Sequence, residues 1–515
     1  MTDFSSLDYS NWLARKTSQF GSIEVLSLVS HIVLDSSSEV PLYRQLAESI
    51  QRAVDAGALR DGDRLPATRE LAGQLGLNRT TVSAAYTLLE QSGSLQGLVG
   101  RGSFVVRSEP AAKAGFDWEN LLAPLEVPAA AAGNAPYNFA SSRPAEDCFP
   151  MAQFRRLSKE VIDSPGVAEL LQLGSPHGYA PLRRYLLDES AAAGAASPSD
   201  DLIVTNGCQQ ALDLLARILV EENTPVLLED PVYHGLLRVF GRARVQLLPV
   251  PVTGAGVDLN ALERLATQHR PRLLVLTPDF QNPTGGSLSL DQRRAVIALS
   301  ARLGIAIIEI SIYRELRYRG ESLPSLKQLD VSGGVISIGS YSKVAFPGLR
   351  IGWVIAPRPV IARLADAKQT SDLHSDQLSQ AVLLRFAESG ELRRHIEQTR
   401  RLGAERLSAA LESCAKAMPS GTRTSRPEGG MNLWVDLPAP LTAEALLQAA
   451  RERGVSFLPG SYFCARDAHR RALRLAFGGL SPKQIATGIG LLGAAAREQL
   501  RSAREMPLAA GAALV

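Results

Sequence analysis

The chain has 515 residues, of which 45% are hydrophobic and 21% charged, a composition typical of globular proteins with about two to four domains. Its 55 basic and 52 acidic residues give a net charge of only +3, so a nucleic-acid partner can be inferred only from a local motif. Four widely separated cysteines and seven dispersed histidines argue against disulfides and zinc, and no metal site is expected.

Residues 1–40 are a polar extension to which no function is assigned. It contains one apolar patch, Ile23–Val33, that can form a strand or a short helix. The chain begins with Asp3 and Asp8 where a targeting signal would be basic and then apolar, and no apolar run reaches the length of a membrane span. These features predict a cytoplasmic protein.

Three short helices are predicted after this extension. Pro41–Gly57 carries apolar residues at every fourth position and stops at a glycine, as an amphipathic helix does. A second helix from about Pro66 ends at Gly76, and Asn78 is a favourable N-cap for a third helix. This layout predicts a helix-turn-helix.

A β-hairpin with a basic tip is predicted after the third helix. Ser94–Gln96 and Ser103–Val106 are the strands, and residues 97–102 form the turn. Residues 41–107 contain eight arginines and six acidic residues, but the basic side chains fall at helix starts and at the hairpin tip, where phosphates and base edges are reached. The candidate DNA-binding residues are Arg69, Asn78, Arg79, Thr80, Thr81 and Arg101. The alternative is a helical protein-docking module with incidental arginines.

The motifs of residues 41–107 resemble the winged-helix domain of GntR-type bacterial regulators. They read P-L-Y-R-Q-L, G-D-R-L-P-A-T-R-E-L-A, L-G-L-N-R-T-T-V, A-Y-T-L-L and G-R-G-S-F-V. The resemblance implies that this domain binds double-stranded operator DNA.

The rest of the chain is predicted to be a linker, an α/β domain and a tail. Residues 108–137 are rich in Ala, Pro and Gly and lack periodicity, as a linker does. Residues 138–500 alternate helical patterns with solid apolar runs, which predicts a doubly wound, mostly parallel sheet with ligands at the strand C-termini. The predicted strands are Leu202–Thr205, Val226–Leu228, Val245–Val250, Leu273–Leu276, Ile305–Ile308 and Val335–Ile338. Residues 501–515 are the tail.

A lysine follows the last of these strands, in S-Y-S-K-V-A-F-P-G-L-R. A lysine at the end of a buried strand needs a partner or a chemical use, and Schiff-base formation by Lys343 is such a use. The hydroxyls of Ser340 and Ser342 and the guanidinium of Arg350 can hold a phosphate beside the amine. This combination indicates pyridoxal phosphate (PLP). The alternative is a serine-rich strand end with a solvated lysine.

Four further motifs place polar residues at strand ends. Thr205–Gln210 leads into a helix predicted to begin near Ala211, so its N–H groups can cradle a phosphate. Tyr233 can stack on an aromatic ring, and Asn282 in an N-P-T-G turn can donate to a phenolate oxygen. Arg474 alternates with apolar residues, as an inward guanidinium awaiting a carboxylate does. Each motif also has a purely structural alternative. Thr205–Gln210 can be an ordinary strand-to-helix turn, and Tyr233 can be a packed ring. The N-P-T-G segment can be a turn without a ligand, and Arg474 can be an exposed strand arginine.

Together these motifs resemble the fold type I aminotransferases, and a GntR-type head joined to such a domain is similar to the MocR subfamily. The resemblance implies a smaller C-terminal α+β subdomain, a homodimer, and a transcriptional regulator that senses PLP or an amino compound. It implies a phosphate site of Gly207, Cys208, Ser340, Ser342 and Arg350, with Gln209 also in the cofactor site. It further places Tyr233 on the pyridine ring, Asn282 and Tyr313 at the phenolic oxygen, Lys343 in the Schiff base and Arg474 at an effector carboxylate.

One position departs from the family. Related sequences carry E-D-D-x-Y-x-E-L, whose first Asp pairs with the pyridine nitrogen, whereas this chain reads E-I-S-I-Y-R-E-L with Ile310 at that position. Glu309 and Ser311 are poor substitutes because adjacent strand residues face opposite ways. The missing acid weakens the electron withdrawal that drives carbanion chemistry, which favours a regulator. A working aminotransferase with a regulatory head and a cofactor-free dimeric scaffold on DNA remain the alternatives.

Overall fold

The computed structural model describes residues 32, 34–35, 38, 40–98, 101–106, 135–253, 256–465 and 468–505. They belong to two compact units that divide between Pro124 and Leu125. The predicted apolar patch Ile23–Val33 (apart from Ile32), most of the predicted linker and residues 506–515 of the predicted tail lie outside the described residues. No helix within the described ranges is long and apolar enough to cross a membrane.

The N-terminal unit contains three helices followed by a two-stranded antiparallel sheet. These elements are α1 (Leu42–Asp55), α2 (Thr68–Leu75), α3 (Arg79–Gln91), β1 (Leu95–Leu98) and β2 (Gly102–Val105). Gly76 ends α2 in the left-handed region at φ 64°, and the Asn78 side chain caps α3 by accepting from the N–H of Thr80 at 3.2 Å. The predicted helix-turn-helix and hairpin are confirmed, with a turn shorter than predicted because Leu98 pairs with Gly102.

The segment before α2 holds the hairpin against the helices. Arg64 forms a bridge with Phe104, and the N–H of Leu65 donates to the carbonyl of Ser103 at 2.9 Å. The core beneath consists of apolar side chains from all three helices and both strands, among them Leu46, Ile50, Leu71, Val82, Leu89, Leu95 and Val105. The basic tip of the hairpin is thereby fixed relative to α3.

The C-terminal unit is built around an eight-stranded sheet. Its strands are β4 (Asp200–Thr205), β5 (Pro225–Asp230), β6 (Gln246–Thr253), β7 (Gly256–Val257), β8 (Leu273–Leu276), β9 (Ala306–Ile310), β10 (Val335–Ser340) and β11 (Gly352–Pro357). Their order is β4-β11-β10-β9-β8-β5-β6-β7, with β11 antiparallel to both neighbours, β7 antiparallel to β6 and the other pairs parallel. The six predicted strands are confirmed, and β7 and β11 are additional.

Thirteen helices of the described residues accompany this sheet and the smaller subdomain. They are α4 (Met151–Ile162), α5 (Val167–Leu170), α6 (Ala180–Ala192), α7 (Cys208–Leu219), α8 (His234–Arg242), α9 (Leu259–His269), α10 (Leu290–Leu303), α11 (Leu326–Leu329), α12 (Arg358–Asp372), α13 (Gln377–Glu388), α14 (Glu391–Ala417), α15 (Ala443–Arg451) and α16 (Pro482–Glu505). Side-chain alternation along the strands buries both faces of the sheet. Ile308 packs with α7, α8 and α12 on one face, and Ile307 packs with α9 and α10 on the other.

The smaller subdomain contains an antiparallel sheet and a short parallel pair. Its strands are β3 (Tyr137–Asn138), β12 (Arg423–Thr424), β13 (Asn432–Asp436), β14 (Val455–Ser456), β15 (Leu458–Pro459) and β16 (Ala472–Ala476), in the order β12-β13-β16-β15 with β14 paired to β3. Tyr137, at the end of the predicted linker, thus already lies in a strand. Leu433, Leu475 and Phe477 form one core with α14, α15 and α16. The α/β fold with a smaller α+β subdomain is as predicted.

Candidate functional site

A cavity of about 380 Å³ lies where the strands of the large sheet end and the smaller subdomain meets them. Small-molecule sites are typically of this size and position. Ten of the eleven predicted cofactor and effector residues line it, namely Cys208, Gln209, Tyr233, Asn282, Tyr313, Ser340, Ser342, Lys343, Arg350 and Arg474. The eleventh, Gly207, immediately precedes α7.

The turn between β4 and α7 forms one end of the cavity. Gly207 adopts φ 80°, and a Cβ atom at this position would collide with the guanidinium of Arg350. The helix begins at Cys208, so the predicted start near Ala211 is wrong by three residues, because the glycine conformation lets the chain enter the helix directly. Cys208 and Gln209 therefore belong to the first helical turn, whose N–H groups lack intrahelical acceptors and favour an anion. Burial raises the pKa of the Cys208 thiol to about 12, so this side chain is neutral.

Ser340, Ser342 and Arg350 complete this end of the cavity. Ser340 Oγ accepts from the N–H of Ser342 at 3.1 Å and lies 2.8 Å from both Ser342 Oγ and the carbonyl of Ile351. Ser340 therefore mainly shapes the turn, while Ser342 faces the cavity. The Arg350 guanidinium donates to the carbonyls of Asn206 at 3.2 Å and Pro347 at 3.4 Å. Its other N–H groups can bind a phosphate.

Lys343 lies in the wall next to these groups. Its Nζ donates to the backbone carbonyl of Ser142 at 2.7 Å and is 5.8 Å from the centre of the Tyr313 ring. The side-chain amide of Asn282 is 3.4 Å from the Tyr313 hydroxyl. The amine, the phenol and the amide thus converge as the sequence predicts for the ring end of the cofactor.

Arg474 reaches the cavity from β16 and is only 3% exposed. One of its terminal nitrogens donates to Asn282 Oδ1 at 3.1 Å, the other donates to the carbonyl of Ala140, and its Nε is enclosed without a partner in the described residues. The guanidinium carbon lies 5.1 Å from the centre of the Phe463 ring. Burial lowers the pKa of Arg474 to about 10, so the group remains cationic at neutral pH. A buried cation of this kind is suited to a carboxylate.

Ile310, which stands where the resemblance to the aminotransferases predicts an acid, lines the cavity and is 4% exposed. Glu309 points to the other face of β9, where the N–H groups of Leu326 and Lys327 donate to its carboxylate at 2.8 and 3.0 Å. Burial raises the pKa of Glu309. Ser311 does not line the cavity. The predicted alternation is confirmed, and no acidic side chain lines the described cavity.

Several cavity residues were not predicted from the sequence. His234 stacks on Tyr462 with ring centres 4.0 Å apart, and the N–H of Val232 donates to the carbonyl of Phe463 at 2.7 Å. These contacts join the loop after β5 to the smaller subdomain. The adjacency of His234 to Tyr233 was the only sequence signal, because Tyr462, Phe463 and the carbonyl of Ser142 are brought in by tertiary packing.

The predicted DNA-binding side chains lie on the surface of the N-terminal unit. Arg69, Asn78, Arg79, Thr80 and Arg101 are exposed, and Thr81 is partly buried. The side-chain Oδ1 of Asn78 accepts the capping hydrogen bond from Thr80, so its side-chain Nδ2 is the group that remains for DNA. Arg64 was missed: Gly102 lies against its guanidinium, which places a further basic group beside the hairpin tip.

The donors of the cavity fit pyridoxal phosphate. Gly207 has no side chain that would fill the space at the start of α7, Arg350 supplies a bidentate group for phosphate, and Lys343 supplies an amine in the same cavity. When bound, this cofactor supplies an aldehyde that reacts with amines and a ring that withdraws electrons.

Two family models match the chain. Residues 154–492 match "Aminotransferase class I and II". Residues 42–105 match "Bacterial regulatory proteins, gntR family".

Known proteins are similar to one or to both parts of the chain. A 2-aminoadipate transaminase of Thermus thermophilus is 36% identical, over 70% of this chain and 89% of that protein. The probable rhizopine catabolism regulatory protein MocR of Rhizobium meliloti is 30% identical, over 90% of this chain and 95% of that protein. A kynurenine aminotransferase of Pyrococcus horikoshii, solved with PMP, superimposes with a TM-score of 0.71 at 30% identity, over 75% of this chain and 98% of that one.

These matches assign the two units. The transaminase and the solved structure are similar to the C-terminal unit, which contains the cavity, whereas the MocR protein spans both units. The chain therefore belongs to the aminotransferase class I and II family and has the MocR-type architecture, with a gntR-family DNA-binding domain in front of a fold type I domain.

Proposed function

We propose that this chain is a PLP-binding transcriptional regulator whose aminotransferase-like domain senses PLP, an amino compound, or both. The observation that carries the proposal is that one chain contains two features. The N-terminal unit has an exposed basic surface, and the C-terminal unit has a cavity with a lysine amine and without an acid for the pyridine nitrogen among the described residues. The relative that spans both units bears the name of a regulator.

The cavity residues divide into cofactor and effector groups in this proposal. The phosphate would be held by Gly207, Cys208, Ser340, Ser342 and Arg350, and Lys343 would supply the amine for the aldehyde. The ring and its surroundings would be oriented by Gln209, Tyr233, Asn282 and Tyr313. Burial raises the pKa of Tyr233 to about 12, so it meets the ring as a neutral phenol.

Arg474 selects an effector that carries a carboxylate. Its guanidinium is buried, its Nε has no partner in the described structure, and Asn282 already orients one of its terminal nitrogens. An unpaired buried donor costs about 1–3 kcal/mol, so a ligand that satisfies it gains affinity. The effector is therefore an amino compound with a carboxylate within reach of Arg474.

DNA binding belongs to residues 41–107, which residues 108–137 tether to the sensing domain at 138–500. Arg69, Asn78, Arg79, Thr80, Thr81 and Arg101 contact the operator. A homodimer in the cytoplasm would present two such heads to paired half-sites.

A second candidate is a working aminotransferase that retains a regulatory head. Lys343, Asn282, Tyr313 and Arg474 line one cavity, as such an enzyme requires, and the 2-aminoadipate transaminase shares 36% identity. Ile310 weighs against it, since no carboxylate lines the described cavity to pair with the pyridine nitrogen.

Footprinting of the full chain on its own upstream DNA tests the proposal. Protection is expected at paired half-sites and is expected to change when PLP, or PLP with an amino acid, is added. Absence of protection under all three conditions would refute the regulator, and rapid multiple turnover with an amino acid would favour the enzyme.

A further inference from the structure

A group of hydrogen bonds holds the turn that enters α7 and involves side chains that do not line the cavity. Asp372, the last residue of α12, accepts from the side-chain amides of Asn206 and Gln210, each at 2.6 Å. The same carboxylate accepts from Lys368 Nζ at 2.6 Å and 2.8 Å. One carboxylate is thus the hub for three side chains.

The turn is also fixed from its other sides. The N–H of Asn206 donates to Gln210 Oε1 at 2.7 Å, and the carbonyl of Asn206 accepts from Arg350 at 3.2 Å. Asn206 therefore links Asp372 on one side to the phosphate-binding guanidinium on the other. Three hydrogen bonds, made by the side-chain amide, the N–H and the carbonyl of Asn206, specify the orientation of this turn residue.

The charges of this group are balanced and partly enclosed. Lys368 is fully buried, whereas the Asp372 side chain retains 22% exposure. Burial lowers the pKa of Lys368, and Asp372 acts in the opposite direction. The buried ammonium of Lys368 keeps the Asp372 carboxylate in place, because separating the two groups would leave the charge of Lys368 buried without a counter-ion. Neither Lys368 nor Asp372 lines the described cavity.

We propose that Asp372, held by Lys368, is a positioning residue for the cofactor phosphate. It fixes the Asn206–Gln210 turn so that the first N–H groups of α7 and the guanidinium of Arg350 converge on one anion. The inference rests on the proposed cofactor function. It predicts that the hub controls recognition of the phosphate and not of the pyridine ring, which Tyr233, Asn282 and Tyr313 would contact.

Comparison of PLP with pyridoxal, which lacks the phosphate, tests this role in the full chain. The affinities of both compounds are measured by calorimetry or tryptophan quenching for the parent, Asp372→Leu and Gln210→Met. The matched control is Asp366→Leu, since Asp366 is an exposed carboxylate on the same helix. Thermal denaturation of each apo protein reports folding.

We expect the ratio of PLP affinity to pyridoxal affinity to fall about tenfold in Asp372→Leu, by analogy with the loss of about 10–100-fold when residues that orient metal ligands are replaced. In Gln210→Met the ratio should fall by about threefold, because the buried ion pair remains and only the side-chain link is lost. Asp366→Leu should leave the ratio unchanged. If Asp372→Leu does not fold, Gln210→Met decides alone.

An unchanged ratio in the hub variants, or an equal loss of affinity for both compounds, would overturn the positioning role, since a general structural defect weakens both. A parent protein with no preference for PLP over pyridoxal would overturn the cofactor assignment itself. The two failures are therefore distinguishable.

Discussion

Arg474 donates to Asn282 across 3.1 Å, although the two residues are 192 positions apart in the chain. Asn282 in turn lies 3.4 Å from the hydroxyl of Tyr313, whose ring is 5.8 Å from the amine of Lys343. A continuous series of polar groups therefore leads from the buried guanidinium of the smaller subdomain to the lysine after β10. A carboxylate bound at Arg474, as proposed above, would therefore contact the hydrogen-bond partner of Asn282.

Lys343→Ala should abolish covalent attachment of PLP, because the described cavity contains no other lysine. Borohydride reduction followed by mass measurement of the intact protein is the assay, with Lys159→Ala as the matched control at a side chain that is 75% exposed. An unchanged reduced adduct in Lys343→Ala would exclude this lysine.

Arg79→Ala and Arg101→Ala should each weaken operator binding and leave the cofactor absorbance unchanged, because both residues belong to the separate N-terminal unit. Loss of a phosphate contact flattens the log–log salt dependence by about 1, and loss of a bidentate base contact costs about 1–3 kcal/mol. Titrations at several salt concentrations distinguish these effects. Arg294→Ala, on α10 of the other unit, is the control. Parent-like binding by both head variants would show that the recognition surface is misplaced.

Ile310→Asp should accelerate conversion of the aldehyde form of the bound cofactor to its amine form in the presence of an amino acid. An opposite charge at contact shifts a pKa by about 1–3 units, so the missing acid costs roughly tenfold to thousandfold in proton abstraction. Single-turnover spectroscopy with a panel of amino acids measures the rate. Ile310→Asn is the matched control, because asparagine has nearly the same size as aspartate and carries no charge. Equal rates in Ile310→Asp and the parent would mean that another feature limits the reaction.

Arg474→Met should remove the preference for ligands with a carboxylate while the cofactor remains bound. The assay compares an amino acid with the amine that lacks its carboxylate, and we expect their affinity ratio to fall by about tenfold to a hundredfold. Arg471→Met, an exposed arginine three residues earlier, is the control. Retention of the preference in Arg474→Met would place the carboxylate elsewhere.

Glu229→Gln should reduce the loss of stability that accompanies a rise in pH from about 4.5 to about 8. Glu229 accepts from the N–H of Thr277 at 3.1 Å, and burial raises its pKa from 4.5 to about 8. The folded protein therefore binds the proton more tightly than the unfolded chain, so the associated stability is complete below pH 4.5 and is lost as the pH rises through about 8. Melting temperatures between about pH 5 and 8.5 should fall less steeply in the variant. The exposed Glu263→Gln is the control, and parallel curves for Glu229→Gln and the parent would contradict the assignment.

The sequence determined most features that depend on neighbours along the chain, although the start of α7 and the length of the hairpin turn differ from their predictions. Gly76 and Asn78 specify the turn of the helix-turn-helix through backbone conformation and capping, which act within a few residues. The same holds for Ile310, because strand alternation alone separates it from Glu309. The six parallel strands were predictable because burial on both faces requires continuous apolar runs.

Tertiary structure decided the features that join distant segments. Strand β11 lies antiparallel between β4 and β10, and no local pattern records that orientation. Lys343 meets a carbonyl 201 positions away, and Asn206 meets Asp372 across 166 positions. The carbonyl of Ser142 belongs to the backbone, so no residue type in the sequence identifies it as the partner of Lys343. Asp372 lies at a helix end, where the sequence alone predicts a solvated carboxylate. The physical reason is that hydrogen bonding between separated segments depends on their distance and angle, which only the packed fold defines.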